Sequence, residues 1–165
     1  MTERWKPVVG YEGIYEVSSS GLVRSLPRLD SIGRRVGGRM LTILPHPSGH
    51  RQVKLSRDGR TVQGKLHRVV LEAFAGPAPL GCEVLHIDGN PADNSIGNLR
   101  WGTRSENMLD RVRHGTHHFA NKTHCPHGHP YDAINTHVTS DGRRMCKECL
   151  RTRTRQRRTL LRKAS

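Results

Sequence analysis

A change of composition near residue 115 limits what this 165-residue chain can fold into more than any other feature. Seven of its eleven histidines fall between His114 and His137, and three of its four cysteines, Cys125, Cys146 and Cys149, follow the same break. A chain of this length holds one compact core and a small appendage, so a second, smaller unit is expected beyond the break. Its segment HCPHGHPYDAINTHVTSDGRRMCKEC carries a Cys125-x3-His129 pair and a Cys146-x2-Cys149 pair. Two close-spaced pairs on turns deliver four ligands to a tetrahedral ion such as Zn²⁺. His127 offers an alternative to His129 through a tighter chelate, and His129 is the favoured ligand. A segment this polar buries too little surface to fold unaided, and metal binding supplies the missing stability. Four protein ligands leave no position for water, so a zinc here is expected to be structural. Cys82 stands apart and reads as a small buried residue.

Charge narrows the partner. With 28 Lys and Arg against 14 Asp and Glu, the formal net charge is +14, a field that attracts polyanions and holds them through phosphate contacts. Nucleic acid is the expected partner. From Leu150 to Ser165 there are seven Lys or Arg and no acid, so self-repulsion is expected to keep this basic tail loose until phosphates neutralise it. No apolar run of membrane-spanning length occurs, and the start MTERWKPVV lacks the pattern of a signal peptide. A cytoplasmic protein with reduced cysteines is expected.

Local signals divide the first unit. WKPVVGYEGIYEVSSSGLVRSLPR alternates apolar and polar residues around a turn at Ser19, Ser20 and Gly21, which predicts a short antiparallel sheet. Pro27 to Gly38, rich in Arg, Gly and Ser, predicts a mobile basic loop. RQVKLSRDGRTVQGKL predicts a hairpin turning at Asp58-Gly59. In KLHRVVLEAFA, Leu66, Val70, Ala73 and Phe74 share one helical face, and Gly76-Pro77 ends the helix. Thr103-Arg-Ser-Glu106 fits a capping box opening a helix from about Arg104 to Arg113, with Gly115 placed to end it.

The stretch EVLHIDGNPADNSIGNLRWGTRSEN carries the chemistry. Read as strand, loop, strand and helix, it puts His86 on the first strand, Asn98 before the second, and Asn107 in the first turns of the capped helix. His86 titrates near neutral pH and suits a general base that activates water. Asn98 is expected to pin the loop and brace the histidine, while Asn94 shapes the loop. Asn107 offers a carbonyl oxygen to a hard cation such as Mg²⁺. Base, metal and phosphate together suit phosphodiester hydrolysis. Arg68, Arg100 and Arg104 border the site with groups that grip phosphates, and Trp101 reads as packing.

HIDGNPADNSIGNLRWGTRSEN resembles the HNH nuclease motif of the ββα-metal fold, in the form found in phage and intron homing endonucleases. WKPVVGYEGIYEVSSSGLVRSL resembles the module that precedes it there, LHRVVLEAF resembles the helix between them, and the Cys/His unit is similar to a zinc appendage of phage HNH proteins. The resemblance implies an α+β fold: a small N-terminal antiparallel sheet and helix leading into a ββα-metal core, then a zinc-binding unit and a basic tail. The implied boundaries are 1–64, 65–115, 120–150 and 151–165. By resemblance His86 is the general base, Asn98 the middle residue of the motif and Asn107 a metal ligand. The implied activity is Mg²⁺- or Mn²⁺-dependent endonucleolytic hydrolysis of double-stranded DNA, by a monomer or weak dimer, leaving 5′ phosphate and 3′ hydroxyl ends. Many relatives carry a metal-binding residue immediately before the base, where this chain has Leu85. Asp88, two residues on, is a candidate replacement, while capping of its own turn is its favoured role. A DNA-binding protein that has lost cleavage is therefore the competing expectation. The basic tail, through Arg151, Arg153, Arg155, Arg157 and Arg158, is expected to add sequence-independent DNA affinity.

Overall fold

The computed structural model describes residues 2–30 and 32–163, which divide into two compact units, Met1–His114 and Gly115–Ser165. In the first, β1 (Trp5–Pro7), β2 (Tyr15–Ser18) and β3 (Val23–Ser25) form an antiparallel sheet in the order β1-β2-β3. Alternation sets its faces: Tyr15 and Val17 on β2 and Val23 on β3 point into the core. β4 (Arg28–Leu29) and β5 (Arg35–Val36) pair within the stretch expected to be a loop, because the Asp30 carboxylate accepts from the backbone and guanidinium of Arg34 and closes the turn. Ser31, in that stretch, lies outside the described residues.

β6 (Leu44–Pro45), β7 (Arg51–Arg57) and β8 (Arg60–Lys65) form a second antiparallel sheet. β7 and β8 meet at Asp58-Gly59, where both residues take positive φ, 51° and 74°, as the predicted tight hairpin needs. Val53 and Leu55 on β7 are buried, while β8 is exposed along most of its length.

Helix α1 (Leu66–Ala75) lays Leu66, His67, Val70 and Leu71 into the core, with Ala73 and Phe74 partly buried beside it. Gly76, at φ 83°, ends the helix as predicted. The chain then forms β9 (Cys82–His86), a 3₁₀ turn at Ile96–Asn98, β10 (Leu99–Thr103) and helix α2 (Arg104–Arg113). Both halves of the predicted capping box are made: Thr103 Oγ1 accepts from the Glu106 N–H at 3.2 Å, and Glu106 accepts from the Thr103 N–H at 2.7 Å. The hydrophobic core joins Val8, Val17, Val23 and Val53 to Leu66, Val70, Leu71 and Leu99, so the N-terminal sheets and the strand–strand–helix segment share one interior. Cys82 is half-buried at the head of β9, short of the burial expected.

The second unit is small. β11 (Thr136–Val138) and β12 (Arg144–Cys146) form a hairpin, and helix α3 (Lys147–Lys163) starts directly from its end. The basic run expected to be loose is therefore helical over its described residues; Ala164 and Ser165 lie outside them. Charge repulsion loses to propensity here, since Arg, Gln, Leu and Lys are all good helix formers. Thr154 and Thr159 hydrogen-bond back to the carbonyls of Leu150 and Arg155, and Arg151 pairs with Glu148.

Candidate functional site

β9 and β10 pair antiparallel with His86 opposite Leu99 and Glu83 opposite Gly102. Alternation divides the ribbon's residues: Val84, His86, Leu99 and Trp101 share one face, while Glu83, Leu85, Arg100 and Gly102 share the other. Val84 and Trp101 pack against the core that contains α1, and α2 packs on both strands. Leu85 is 2% exposed, and any side chain at Gly102 would run into its Cδ1. The position before His86 is thus a core position.

His86 ends β9, and the loop behind it is fixed by Asn98. Asn98 Oδ1 accepts the Asp88 N–H at 3.0 Å, while its Nδ2 donates to Asp88 Oδ1 at 2.8 Å and to the Asp93 carbonyl at 3.0 Å. The expected pinning of the loop is present; the ring of His86 is faced instead by Asn94, His50 and His67. Asn98→Ala would leave the Asp88 N–H and the Asp93 carbonyl without these partners, so the expected result is a loss of about 2–3 kcal/mol of stability, measured by denaturant unfolding.

Asp88 adopts the turn role. Its Oδ1 accepts from the Asn90 N–H at 2.8 Å as well as from Asn98, and these bonds hold its carboxyl below the usual range. Asn94 is 4% exposed; its Nδ2 donates to the Ala92 carbonyl, and Gly21 packs against it. Gly89, at φ 75°, lets His114 close over the turn, where a Cβ would lie 2.5 Å from His114 Nδ1.

Three histidines converge on the inner face. The ring of His86 lies 5.5 Å from that of His50 and 5.3 Å from that of His67, and His50 and His67 are 4.7 Å apart. Burial drives the pKa of His86 below the ordinary histidine value, against the opposing Asn94 side chain, Asp88 and Asp93. Burial, then the charges of His50 and His86, lower His67 to about 3. The shift favours the neutral imidazole, the form that accepts a proton. Neither His50 nor His67 was singled out from the sequence, yet His67 sits with Val70, Leu71 and Phe74 at the i, i+3, i+4, i+7 spacing of a core stripe. A histidine in such a stripe is a readable signal.

On the outer face, Asn107 Nδ2 donates to Glu83 Oε1 at 2.6 Å. Glu83, unremarked in the sequence, puts a carboxylate beside Asn107 two residues before Leu85. Among the arginines, Arg100 is engaged by Asp110 at 2.6 Å and Glu106 at 3.5 Å, bracing β10 against α2. Arg68 pairs with Glu72 at 2.7 Å on the exposed face of α1. Arg104 is exposed at the start of α2, and Arg153, Arg155, Arg157 and Arg158 are exposed along α3.

In the second unit Cys125, His129, Cys146 and Cys149 close on one point. His129 Nδ1 lies 3.5, 3.6 and 3.3 Å from the sulfurs of Cys125, Cys146 and Cys149, and Cys125 and Cys149 are 3.6 Å apart. Bonds of about 2.3 Å to sulfur and 2.0–2.1 Å to nitrogen in a tetrahedron place ligand atoms roughly 3.5–3.8 Å apart, so the cluster is shaped for a metal ion. His129, not His127, is the member that joins it. Desolvation raises both the Cys146 and Cys149 thiols; the Cys149 N–H and the Asn135 amide bring Cys146 down to about 6, while Cys149, beside the other two sulfurs, is pushed up to about 12, so the first proton leaves from the group of thiols rather than from each alike.

Comparison with known proteins follows this geometry. Residues 65–109 match the HNH endonuclease family, and residues 3–56 match the NUMOD4 motif. The chain is 32% identical over 112 residues to DNA endonuclease I-HmuI of Bacillus phage SP01, covering 68% of this chain and 59% of that protein. It is 42% identical over 57 residues to Protein 7.7 of Escherichia phage T7, covering 33% of this chain and 44% of that one. A solved structure described as DNA binding and cleavage by the HNH homing endonuclease I-HmuI superposes with a TM-score of 0.58 at 32% identity, over 68% of this chain and 60% of the other. The chain thus spans less than two thirds of these relatives.

Proposed function

We propose that this chain, whose residues 65–109 match the HNH endonuclease family and residues 3–56 the NUMOD4 motif, hydrolyses phosphodiester bonds of double-stranded DNA with His86 as general base. The observation that carries this reading is the half-buried imidazole at the end of β9, beside a loop fixed by Asn98. His86 takes a proton from water, and the water oxygen attacks phosphorus in line with the departing 3′ oxygen. Asn98 keeps the loop at one geometry, so the ring does not have to be ordered at the moment of reaction.

The oxygen donors on the α2 face suit a hard divalent cation, Mg²⁺ or Mn²⁺. Asn107 and Glu83 would hold it, with Glu83 supplying the carboxylate that Leu85 lacks. Asp88, occupied in its own turn, is the weaker candidate. Such an ion stabilises charge on the phosphorane and on the leaving oxygen. Arg68 and Arg104, with Arg151, Arg153, Arg155, Arg157 and Arg158 on α3, would contact phosphates. Cys125, His129, Cys146 and Cys149 would hold a structural Zn²⁺, since three sulfurs and one imidazole are a borderline-soft set. Among the described residues no helix is long and apolar enough to cross a membrane.

Supercoiled plasmid should be nicked or linearised only with Mg²⁺ or Mn²⁺ present. Glu83→Ala should raise the metal concentration needed by about tenfold or more. The second reading, DNA binding without cleavage, is favoured by Leu85 in the core. Plasmid that is bound yet never cut at any Mg²⁺ or Mn²⁺ concentration would establish it.

A further inference from the structure

The inner face of the site holds more chemistry than a lone general base needs. His50 precedes β7, His67 lies in the first turn of α1 and His86 ends β9, so three separate elements bring the rings together. One ring nitrogen from each lies within 4.8 Å of the others. Each ring also carries a buried nitrogen without a hydrogen-bond partner: Nδ1 of His50, Nδ1 of His67 and Nε2 of His86. His67 is only 6% exposed. Buried polar atoms are almost always satisfied, and three orphans on touching rings point to one shared partner.

We propose that His50, His67 and His86 form a second metal site, taking a borderline cation such as Zn²⁺, Ni²⁺ or Co²⁺ through three imidazole nitrogens. This ligand type separates it from its neighbours. Neutral imidazole suits those cations, while the carboxylate and amide oxygens of Glu83 and Asn107 suit Mg²⁺, and the sulfur-rich cluster in the second unit selects softer ions. A tetrahedral ion with bonds of 2.0–2.1 Å needs its nitrogens about 3.3 Å apart, so from separations of up to 4.8 Å the rings must close by as much as about 1.5 Å. His50 is half-buried in the segment leading into β7. Three protein ligands leave a fourth position for water or a phosphate oxygen.

The ion would occupy a lone pair of the same ring that serves as base. A borderline cation in the three-histidine site therefore competes with proton abstraction and inhibits cleavage. That consequence rests on the proposed role of His86; metal binding itself does not.

Titrating the full-length, metal-stripped protein with Co²⁺ separates the sites by their spectra. The Cys/His cluster gives a sulfur-to-cobalt charge-transfer band, while the three-histidine site adds ligand-field absorption without it. Wild type is expected to bind two equivalents tightly, with any further ion at the oxygen donors of Glu83 and Asn107 held more weakly and displaced by excess Mg²⁺. His50→Phe should keep the sulfur-bound ion and bind the other at least about tenfold more weakly. His67→Leu, checked for native circular dichroism, should do the same. Zn²⁺ should also inhibit Mg²⁺-dependent plasmid cleavage by wild type at a concentration at least about tenfold below that needed for His50→Phe. A single equivalent in wild type, as expected if an ordered water bridges the rings, would overturn the site, as would unchanged affinity in both variants. If no plasmid is cut by any form, the titration still decides, so this inference and the nuclease reading fail separately.

Discussion

His86→Ala is expected to slow plasmid cleavage by about 10²–10⁴-fold, the contribution of a positioned acid–base group, with the fold and the affinity for DNA retained. Retention follows from the ring's surroundings. The buried Nε2 makes no hydrogen bond, so the main cost of truncation is a cavity beside Asn94, His50 and His67, at roughly 1–2 kcal/mol for a half-buried side chain. The loop stays in place because Asn98 holds Asp88 and Asp93 rather than the imidazole. Gel-quantified cleavage rates, DNA binding in Ca²⁺ and a thermal melt measure the three quantities. An unchanged rate would remove His86 from the chemistry, and a protein that no longer folds would assign it a structural role.

Stripping metal from the Cys/His cluster is expected to unfold residues 115–163 while the first unit melts as before. Among the described residues of the second unit, only Cys125 and Cys146 are buried. Among those residues no apolar core stands behind them, so coordination bonds to a bound ion would supply the interior. Structural zinc contributes about 10–16 kcal/mol in small finger peptides at neutral pH, more than the few hairpin hydrogen bonds here can replace. The 17-residue α3 starts at the Cys146–Cys149 turn, and a free helix of that length is marginal in water. Far-ultraviolet circular dichroism should therefore lose the α3 signal on chelation and regain it with Zn²⁺. Cys149→Ser should show the same loss without a chelator. A second unit that keeps its helicity without metal would refute this account.

The parts of the molecule legible in the sequence were those governed by local rules. The Thr103 capping box, the Asp58-Gly59 turn and the Gly76 stop each involve a few neighbouring residues, and each formed where the residue types required it. The convergence of Cys125, His129, Cys146 and Cys149 was readable because each turn presents its own pair. What escaped was long-range. Glu83 meets Asn107 across 24 positions, and His50, His67 and His86 meet only because a sheet, a helix and a ribbon share a core. The basic tail was misjudged for a different reason: counting its charges overlooked that Arg and Lys are strong helix formers. Leu85 looked like a lost ligand, and its place against Gly102 shows that the position serves packing.

The single interior of the first unit bears on how such a protein can change over generations. The NUMOD4 match ends at residue 56 and the HNH match begins at residue 65, which in sequence looks like a joint between interchangeable parts. In space Val17, Val23 and Val53 from one side and Leu66, Val70, Leu71 and Leu99 from the other fill the same volume. A recombination crossover at that joint would exchange half of a close-packed interior for one shaped by a different history. The two halves are accordingly expected to be inherited as a matched pair, with variation freest along β8, whose side chains are mostly exposed.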